Sequence, residues 1–123
     1  MARYVILLPG DEGRLARTSE EDKAAMYAAH DRFGAALAQR GHTVAAGAEL
    51  AHTRHATTLR PDGAGSVSVT DGPFAELAEQ LTGFYVVDSE DRSDLVDCCR
   101  ILADAGEIVE VRPTGPVTAE DAS

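Results

Sequence analysis

The sequence predicts an α+β fold in which two long helices cover one face of an antiparallel sheet of about four or five strands. Two observations predict it: apolar residues recur at helical spacing in two long segments, and the other apolar runs are short and bounded by Gly or Pro. The elements follow one another as strand, long helix, two or three strands, short helical turn, strand, long helix and strand. This order is the split β-α-β plan of a ferredoxin-like sandwich.

The first strand and the first long helix have clear boundaries. The run "RYVILLP", residues 3–9, is continuously apolar and ends at a Pro-Gly pair, which predicts a covered strand. Thr18, with Glu21 three residues later, forms a capping-box pattern and predicts a helix over about residues 19–39. Gly41 supplies its C-terminal stop.

The middle of the chain predicts strands and a hairpin. "TVAAGAEL", residues 43–50, reads as a strand weakened by Gly47. "ATTLR" and "SVSVT" flank the turn sequence "PDGAG", so we expect a hairpin that places Val67 and Val69 on the same face.

The stretch "VTDGPFAELAEQLTGFYVVD", residues 69–88, predicts a turn, a short helix and a strand. Asp71 and Gly72 begin the turn, and Pro73 suits a first helical position. The apolar side chains that follow are spaced to form one side of the short helix: Phe74, Leu77 and Leu81. "GFYVVD" then has the aromatic and β-branched composition of a strand.

The end of the chain predicts one more helix and one more strand. "RSDLVDCCRILADAG" repeats apolar residues at helical spacing over about residues 92–105, and Gly106 ends the helix. "EIVEVRP", residues 107–113, closes the chain as a strand. We therefore expect one domain over residues 1–113 and a flexible tail over residues 114–123.

Composition excludes several classes of function. The 123 residues carry 21 acidic and 11 basic side chains, a formal charge of -10, which would repel nucleic-acid phosphates. No window has the roughly 20 apolar residues of a membrane span. The adjacent Cys98 and Cys99 predict buried thiols in a reducing compartment. We expect a cytoplasmic protein that binds neither nucleic acid nor membrane.

Two residues stand out as candidates for catalysis, and each has two readings. His30 lies on or beside the apolar face of the first long helix. It would act there either as a general acid or base or as a packed core residue. Asp71 either caps the short helix that follows it or orients the imidazole of His30. The residues alone leave both pairs of alternatives open.

The other candidates favour plainer roles. His42 follows Gly41 at a helix end, where positive charge suits the helix dipole. His52 and His55 form an H-x-x-H pair without a second ligand cluster, so we expect no metal there. Arg60 either holds an anionic ligand or pairs with a carboxylate at the surface.

Two helices cannot cover both faces of such a sheet. "GFYVVD" and "RYVILLP" carry apolar residues on both sides, so the second face requires another layer. A homodimer that packs sheet against sheet would supply it.

The motif "VTDGPFAELAEQLTGFYVVD", with "YVILLPG", "MYAAHDRFGAALAQRG", "TTLRPDG" and "IVEVRP", resembles the YCII-related family, in the branch named after its Asp-Gly-Pro-Phe motif. The resemblance implies a ferredoxin-like subunit of the dimeric α+β barrel type. It also implies a pocket with a His and an Asp beside the sheet, matched here by His30 and Asp71.

Two functions follow from this resemblance. The first is a cofactor-independent, lyase- or dehydrochlorinase-like enzyme that acts on a small organic molecule, with His30 and Asp71 catalytic and with Arg60, Phe74 and Tyr85 contacting substrate. The second is a small-molecule-binding or regulatory dimer, similar to proteins that accompany sigma factors of the extracytoplasmic type. A purely structural module is a third reading. In each case we expect neither a metal nor a cofactor.

Overall fold

The computed structural model describes residues 1–116 and contains three α-helices and six strands within that range. The strands are β1 (Ala2–Gly10), β2 (Thr43–Glu49), β3 (Thr57–Pro61), β4 (Val67–Asp71), β5 (Gln80–Ser89) and β6 (Glu110–Pro113). The helices are α1 (Glu12–Ala16), α2 (Glu20–Gln39) and α3 (Arg92–Asp104), and a single 3₁₀ turn covers Thr53–His55. The predicted tail lies mostly outside the described residues.

Four strands form one antiparallel sheet in the order β2-β5-β1-β6. The two longest strands, β1 and β5, lie at its centre and pair along their whole length. The hairpin of β3 and β4 forms a separate two-stranded sheet. The predicted α+β class is confirmed, and the topology is compatible with a ferredoxin-like fold.

The hydrophobic core lies between α2, α3 and one face of the four-stranded sheet. Alternate residues of β1 point into it, and Val87 of β5 lies opposite Tyr4. Both cysteines are buried as free thiols, as predicted. The large apolar side chains that are fully buried come from α2, α3 and the two central strands: Ile6, Phe33, Leu37, Val87, Leu95, Cys98 and Leu102.

The start of α2 differs from the prediction by one residue. Ser19, rather than Thr18, is the N-cap, and its hydroxyl accepts the N–H of Asp22 at 3.1 Å. The Thr18 hydroxyl instead donates to the carbonyl of Arg14, at the end of α1. The short helix α1, which Asp11 caps, was not predicted from the sequence.

The prediction of a short helix after Pro73 is wrong. Residues 72–79 are described and form a loop, in which Phe74 and Leu77 are 75% and 62% exposed. A short amphipathic helix in water depends on burying its apolar side. Within residues 1–116 no element covers that side, so local spacing alone does not produce the helix.

The hairpin of β3 and β4 presents an apolar face to solvent. Leu59 pairs with Val69, and Pro61 pairs with Val67, so these four side chains share one face, as predicted for the two valines. Leu59, Val67 and Val69 are all more than half exposed. Nothing else in the described residues covers this face.

Within residues 1–116, no helix is both long enough and apolar enough to cross a bilayer.

Candidate functional site

His30 of α2 lies in a cluster with Tyr85 of β5 and Glu107, which follows α3. The Nδ1 atom of His30 is 2.5 Å from the Tyr85 hydroxyl oxygen. The Nε2 atom of the same ring is 2.7 Å from Oε2 of Glu107. The structure thus joins a helix, the central strand and a loop around one imidazole, whose side chain remains 20% exposed.

The helix sequence positions the imidazole. Ala29 and Phe33 are fully buried on the face of α2 that packs against the sheet, and His30 lies beside them at the edge of that face. This confirms that His30 lies on or beside the buried side of the helix. The ring is therefore held against the protein but can still be reached from solvent.

Gly47 of β2 leaves room for Tyr85. A Cβ atom at position 47 would lie 2.9 Å from Cδ1 of Tyr85 and 3.1 Å from the carbonyl oxygen of Phe84. The Tyr85 ring stacks on His30 with 5.8 Å between centroids, and it meets the ring of Phe33 edge-on at 5.2 Å. Packing on three sides thus fixes the direction of the phenol.

The end of α3 positions Glu107. Gly106 has a φ of 100°, a left-handed conformation that suits glycine, and it ends the helix as predicted. The Glu107 N–H then donates to the carbonyl of Leu102 at 3.1 Å. This turn directs the carboxylate towards His30.

The electrostatics of the cluster favour one tautomer of His30. Burial raises the pKa of Tyr85, and the carboxylates of Glu107 and Asp31 raise it further, so the phenol stays protonated at neutral pH. A carboxylate can only accept hydrogen bonds, so the neutral imidazole presents N–H at Nε2 to Glu107 and accepts from Tyr85 at Nδ1. Oε2 of Glu107 is buried, and its contact with Nε2 has the distance of a hydrogen bond but lacks its alignment.

Asp71 lies elsewhere. It is the exposed last residue of β4, and it lines a cavity of about 230 Å³ with His52, Arg54 and Glu76. Among the described residues, no hydrogen bond or ion pair joins Asp71 to His30, whose two ring nitrogens face Tyr85 and Glu107. The Asp71 carboxylate also accepts no N–H from the loop after it, so it does not act as the predicted cap.

The three predicted substrate-contacting residues lie in two places. Tyr85 belongs to the His30 cluster. Arg60 and Phe74 pair with each other instead, because the Arg60 guanidinium donates to the Phe74 carbonyl and lies 4.8 Å from the centre of the Phe74 ring. This pair braces the loop that follows the hairpin.

His42 is buried in a second polar cluster, so its predicted role at a helix end is incomplete. Its Nδ1 lies 2.8 Å from the Ser89 hydroxyl, and its Nε2 lies 2.7 Å from Oδ2 of Asp94 at the start of α3. The order resembles that of a Ser-His-Asp triad, but Ser89 is only 1% exposed. Its hydroxyl also bonds the backbone of Asp91, so it cannot serve as a nucleophile.

His52, the first histidine of the H-x-x-H pair, has a structural role. His52 Nδ1 accepts the N–H of Arg54 at 3.0 Å and thereby caps the 3₁₀ turn. Glu12 of α1 accepts both the N–H and the hydroxyl of Thr53, which ties this turn to the first part of the chain.

Sequence reasoning missed Glu107 as a partner of His30. The residue stands after a helix-ending glycine at the start of a predicted strand, and neither feature signals a contact with α2. Only the packing of α3 beside α2 brings it there.

The fold and this cluster define a small α+β protein with a partly exposed His-Tyr-Glu group between its helices and its sheet. The chain belongs to the YCII-related family, since the YCII-related domain matches residues 2–114. The chain is also similar to an uncharacterised protein of Rhizobium meliloti (strain 1021), with 45% identity over 69 residues. That alignment covers 54% of this chain and 55% of the relative, so it spans about half of each.

Proposed function

We propose that this YCII-related protein is a cofactor-independent enzyme that uses His30 as a general acid or base on a small organic molecule. The observation that carries the proposal is the close contact of both His30 ring nitrogens with polar partners, a phenol at 2.5 Å and a carboxylate at 2.7 Å. Such partners set the tautomer and orientation that proton transfer requires. The "DGPF" sequence of residues 71–74 supports placing the chain in the branch named after that motif.

Glu107 takes the positioning role that the sequence analysis gave to Asp71. Its carboxylate lies 2.7 Å from Nε2 and would stabilise the imidazolium that forms when His30 accepts a proton. Tyr85 would give up its hydrogen bond to Nδ1 when a substrate arrives, which frees that nitrogen to act as the base. In a lyase-type elimination, His30 would take a proton from carbon, and the leaving group would depart with its bonding electron pair.

The functional unit we propose is a homodimer that packs sheet against sheet. Val5 and Leu7 of β1, with Phe84 and Val86 of β5, point away from the helices and are only half-buried in one chain. A second copy would remove this apolar surface from water. Asp71, which is exposed in one chain, keeps its predicted catalytic role only if such an assembly or a substrate brings it to the imidazole.

Proton abstraction can be tested before the substrate is known. Small organic acids and halogenated ring compounds would be incubated with the protein in D₂O, and deuterium uptake at carbon would be followed by NMR. We expect uptake with the wild type and its loss in His30→Gln. Uptake that persists in His30→Gln would contradict the proposal.

A second experiment separates the two candidate partners of His30. Long-range ¹H–¹⁵N NMR reports which ring nitrogen carries the proton, and we expect Nε2–H in the wild type and in Asp71→Asn. Glu107→Gln should change the tautomer populations. A change in Asp71→Asn with none in Glu107→Gln would restore the original His30–Asp71 pairing.

A non-catalytic, ligand-binding or regulatory dimer linked to transcription control is the second candidate. The observation that favours it is the position of two surface cavities, of about 690 and 230 Å³, since neither has His30 in its lining. Under this reading, small molecules would raise the melting temperature equally in the wild type and in His30→Gln, without deuterium uptake in either.

A further inference from the structure

A second cluster, distinct from the His30 site, gathers side chains of the types that bind metals. His42 lies in the turn after α2, and Asp94 and Cys98 lie four residues apart on one face of α3. The potential ligand atoms of these three residues all lie within 4.8 Å of one another. Among the described residues they form the one group of three or more His, Cys, Asp or Glu side chains with this spacing.

The hydrogen bond between Nδ1 of His42 and the Ser89 hydroxyl is of the kind that orients metal-binding histidines. The Ser89 hydroxyl donates to the carbonyl of Asp91 at 3.0 Å, so it accepts a hydrogen bond from Nδ1–H of His42 at 2.8 Å. This fixes the ring orientation and leaves Nε2 directed at Asp94. Metal-binding histidines usually donate their second ring N–H to such an acceptor.

The guanidinium of Arg40 places a positive charge beside the cluster. The Arg40 guanidinium pairs with Asp94 and with Asp97, whose Oδ2 lies 3.1 Å from Nη2. Hydrogen bonds from His42 and then from Arg40 lower the pKa of Asp94. The two carboxylates are thus arranged around a positive charge, and Arg40 is exposed enough to move away.

The cluster can be reached from outside. Arg40, Asp94 and Asp97 line an open cavity of about 690 Å³ between the start of α3 and the turn before β2. Cys98 lies behind them and is fully buried. An ion would therefore enter through the position of the guanidinium and meet the thiol last.

We propose that His42, Asp94 and Cys98 form a zinc site, with Asp97 as an additional carboxylate beside it. Thiolate, imidazole and carboxylate together suit zinc better than the hard cations magnesium or calcium, which prefer oxygen ligands alone. Bonds form from zinc to Nε2, to an Asp94 oxygen and to Sγ. The thiol proton passes to solvent, together with the Nε2 proton when His42 is an imidazolium, and Arg40 exchanges its two carboxylate contacts for water.

The buried thiol does not prevent this reaction. Burial raises the pKa of Cys98, and Arg40 opposes that effect. A coordinating divalent ion deprotonates a thiol directly, because its charge is the largest in the site.

Cobalt substitution tests the proposal on the full chain. After chelator treatment, Co²⁺ would be titrated into the protein, and the near-ultraviolet sulfur-to-cobalt band would be recorded. We expect one Co²⁺ per chain, a band in the wild type, and loss of the cobalt spectrum on adding Zn²⁺. The absence of a saturable band would overturn the proposal.

The adjacent cysteines provide a matched control. Both are buried on α3, but Cys99 is not part of the cluster. We expect the band to disappear in Cys98→Ser and to persist in Cys99→Ser, with circular dichroism confirming that both variants are folded. A band that survives in Cys98→Ser would overturn the assignment.

Two further measurements keep the test decisive if Cys98→Ser fails to fold. Zinc-edge X-ray absorption of the wild type should show one sulfur neighbour at about 2.3 Å, and its absence would refute the site. Arg40→Gln removes the competing charge, so we expect zinc to bind about five- to tenfold more tightly. Weaker binding in Arg40→Gln would contradict the proposed exchange of guanidinium for metal.

Discussion

The two faces of the four-stranded sheet are built from the same strands but have different surroundings. On β1, Ile6 and Leu8 point towards the helices and are buried, whereas their neighbours Val5 and Leu7 point the other way and are half-buried. On β5, Val87 and Phe84 differ in the same way. The continuous apolar runs of these strands therefore predict that both faces need a cover, but α2 and α3 reach only one of them.

The polar clusters and the uncovered apolar surfaces lie in different parts of the molecule. The His30 and His42 clusters lie on the helix-covered side, where α2 and α3 supply packed partners for polar groups. The exposed hairpin and the open face offer apolar surface with few polar partners. We therefore expect changes on the covered face to alter folding and changes on the open face to alter assembly.

The largest expected effect is on the covered face. Phe33→Ala would remove a fully buried ring that contacts Tyr85, and we expect the free energy of unfolding to fall by about 3–5 kcal/mol. Phe84→Ala on the open face is the matched control. Urea denaturation at low protein concentration should show a much smaller loss for Phe84→Ala. Equal losses would mean that the two faces are equally covered within one chain.

The second prediction concerns assembly. Val86→Glu places a charge at the centre of the open face, where Val86 lies opposite Val5. We expect the dimer dissociation constant, measured by sedimentation velocity, to rise by about a hundredfold or more.

Val96→Glu is the control for that experiment, because Val96 is 42% exposed on α3. It should leave the dissociation constant unchanged. A wild-type chain that sediments as a monomer at micromolar concentration would refute the sheet-to-sheet dimer.

The third prediction uses two glycines to probe the Tyr85 pocket. Gly47→Ala would bring a methyl group against the Tyr85 ring and the Phe84 carbonyl, so we expect a loss of about 1–3 kcal/mol and a changed Tyr85 NMR signal. In Gly34→Ala, within α2, the added methyl group would meet no atom within 4 Å among the described residues, apart from its chain neighbours and the backbone of its own helix. It should stabilise the protein by about 0.5–1 kcal/mol, since alanine favours a helix. Thermal unfolding would reveal the opposite signs, and a neutral Gly47→Ala would show that Tyr85 is not tightly held.

The smallest expected effect is at the edge of the open face. Two hydrogen bonds from Arg3, at 2.8 and 2.9 Å, lower the pKa of Asp88. A lowered carboxyl pKa stabilises the fold above the unfolded pKa of about 4, and that contribution is lost as the pH falls through the lower, folded-state pKa. Arg3→Gln should therefore destabilise the protein slightly at pH 7 and converge with the wild type in acid. Denaturation curves that stay separated by the same amount at low pH would contradict this role.

Local sequence signals predicted most of the fold. The two long helices have apolar stripes and recognisable ends, and the structure places them at Glu20–Gln39 and Arg92–Asp104, within one or two residues of the expected bounds. Gly106 ends α3 because the backbone there has a positive φ, which favours glycine. A single residue of the sequence is enough to predict this. The hairpin followed from its turn residues in the same way.

The two wrong predictions, the short helix after Pro73 and the N-cap of α2, share one cause. Each depended on local residue types, whereas the outcome depends on which other parts of the chain lie nearby. The spacing of Phe74 and Leu77 suits a helix, but the described chain provides nothing for that helix to pack against. Thr18 and Ser19 are both good caps, and the choice between them depends on α1, whose end engages Thr18.

The sequence by itself determined the α+β class, the order of the strands and of the two long helices, the burial of both cysteines and the position of His30 beside the core. These features depend on residues close together in the chain, where periodicity and turn chemistry act. Only the tertiary structure decided that Glu107 faces His30 and that His42, Asp94 and Cys98 share one cluster. Those contacts join residues more than fifty positions apart, and their formation depends on how α2 and α3 pack on the sheet.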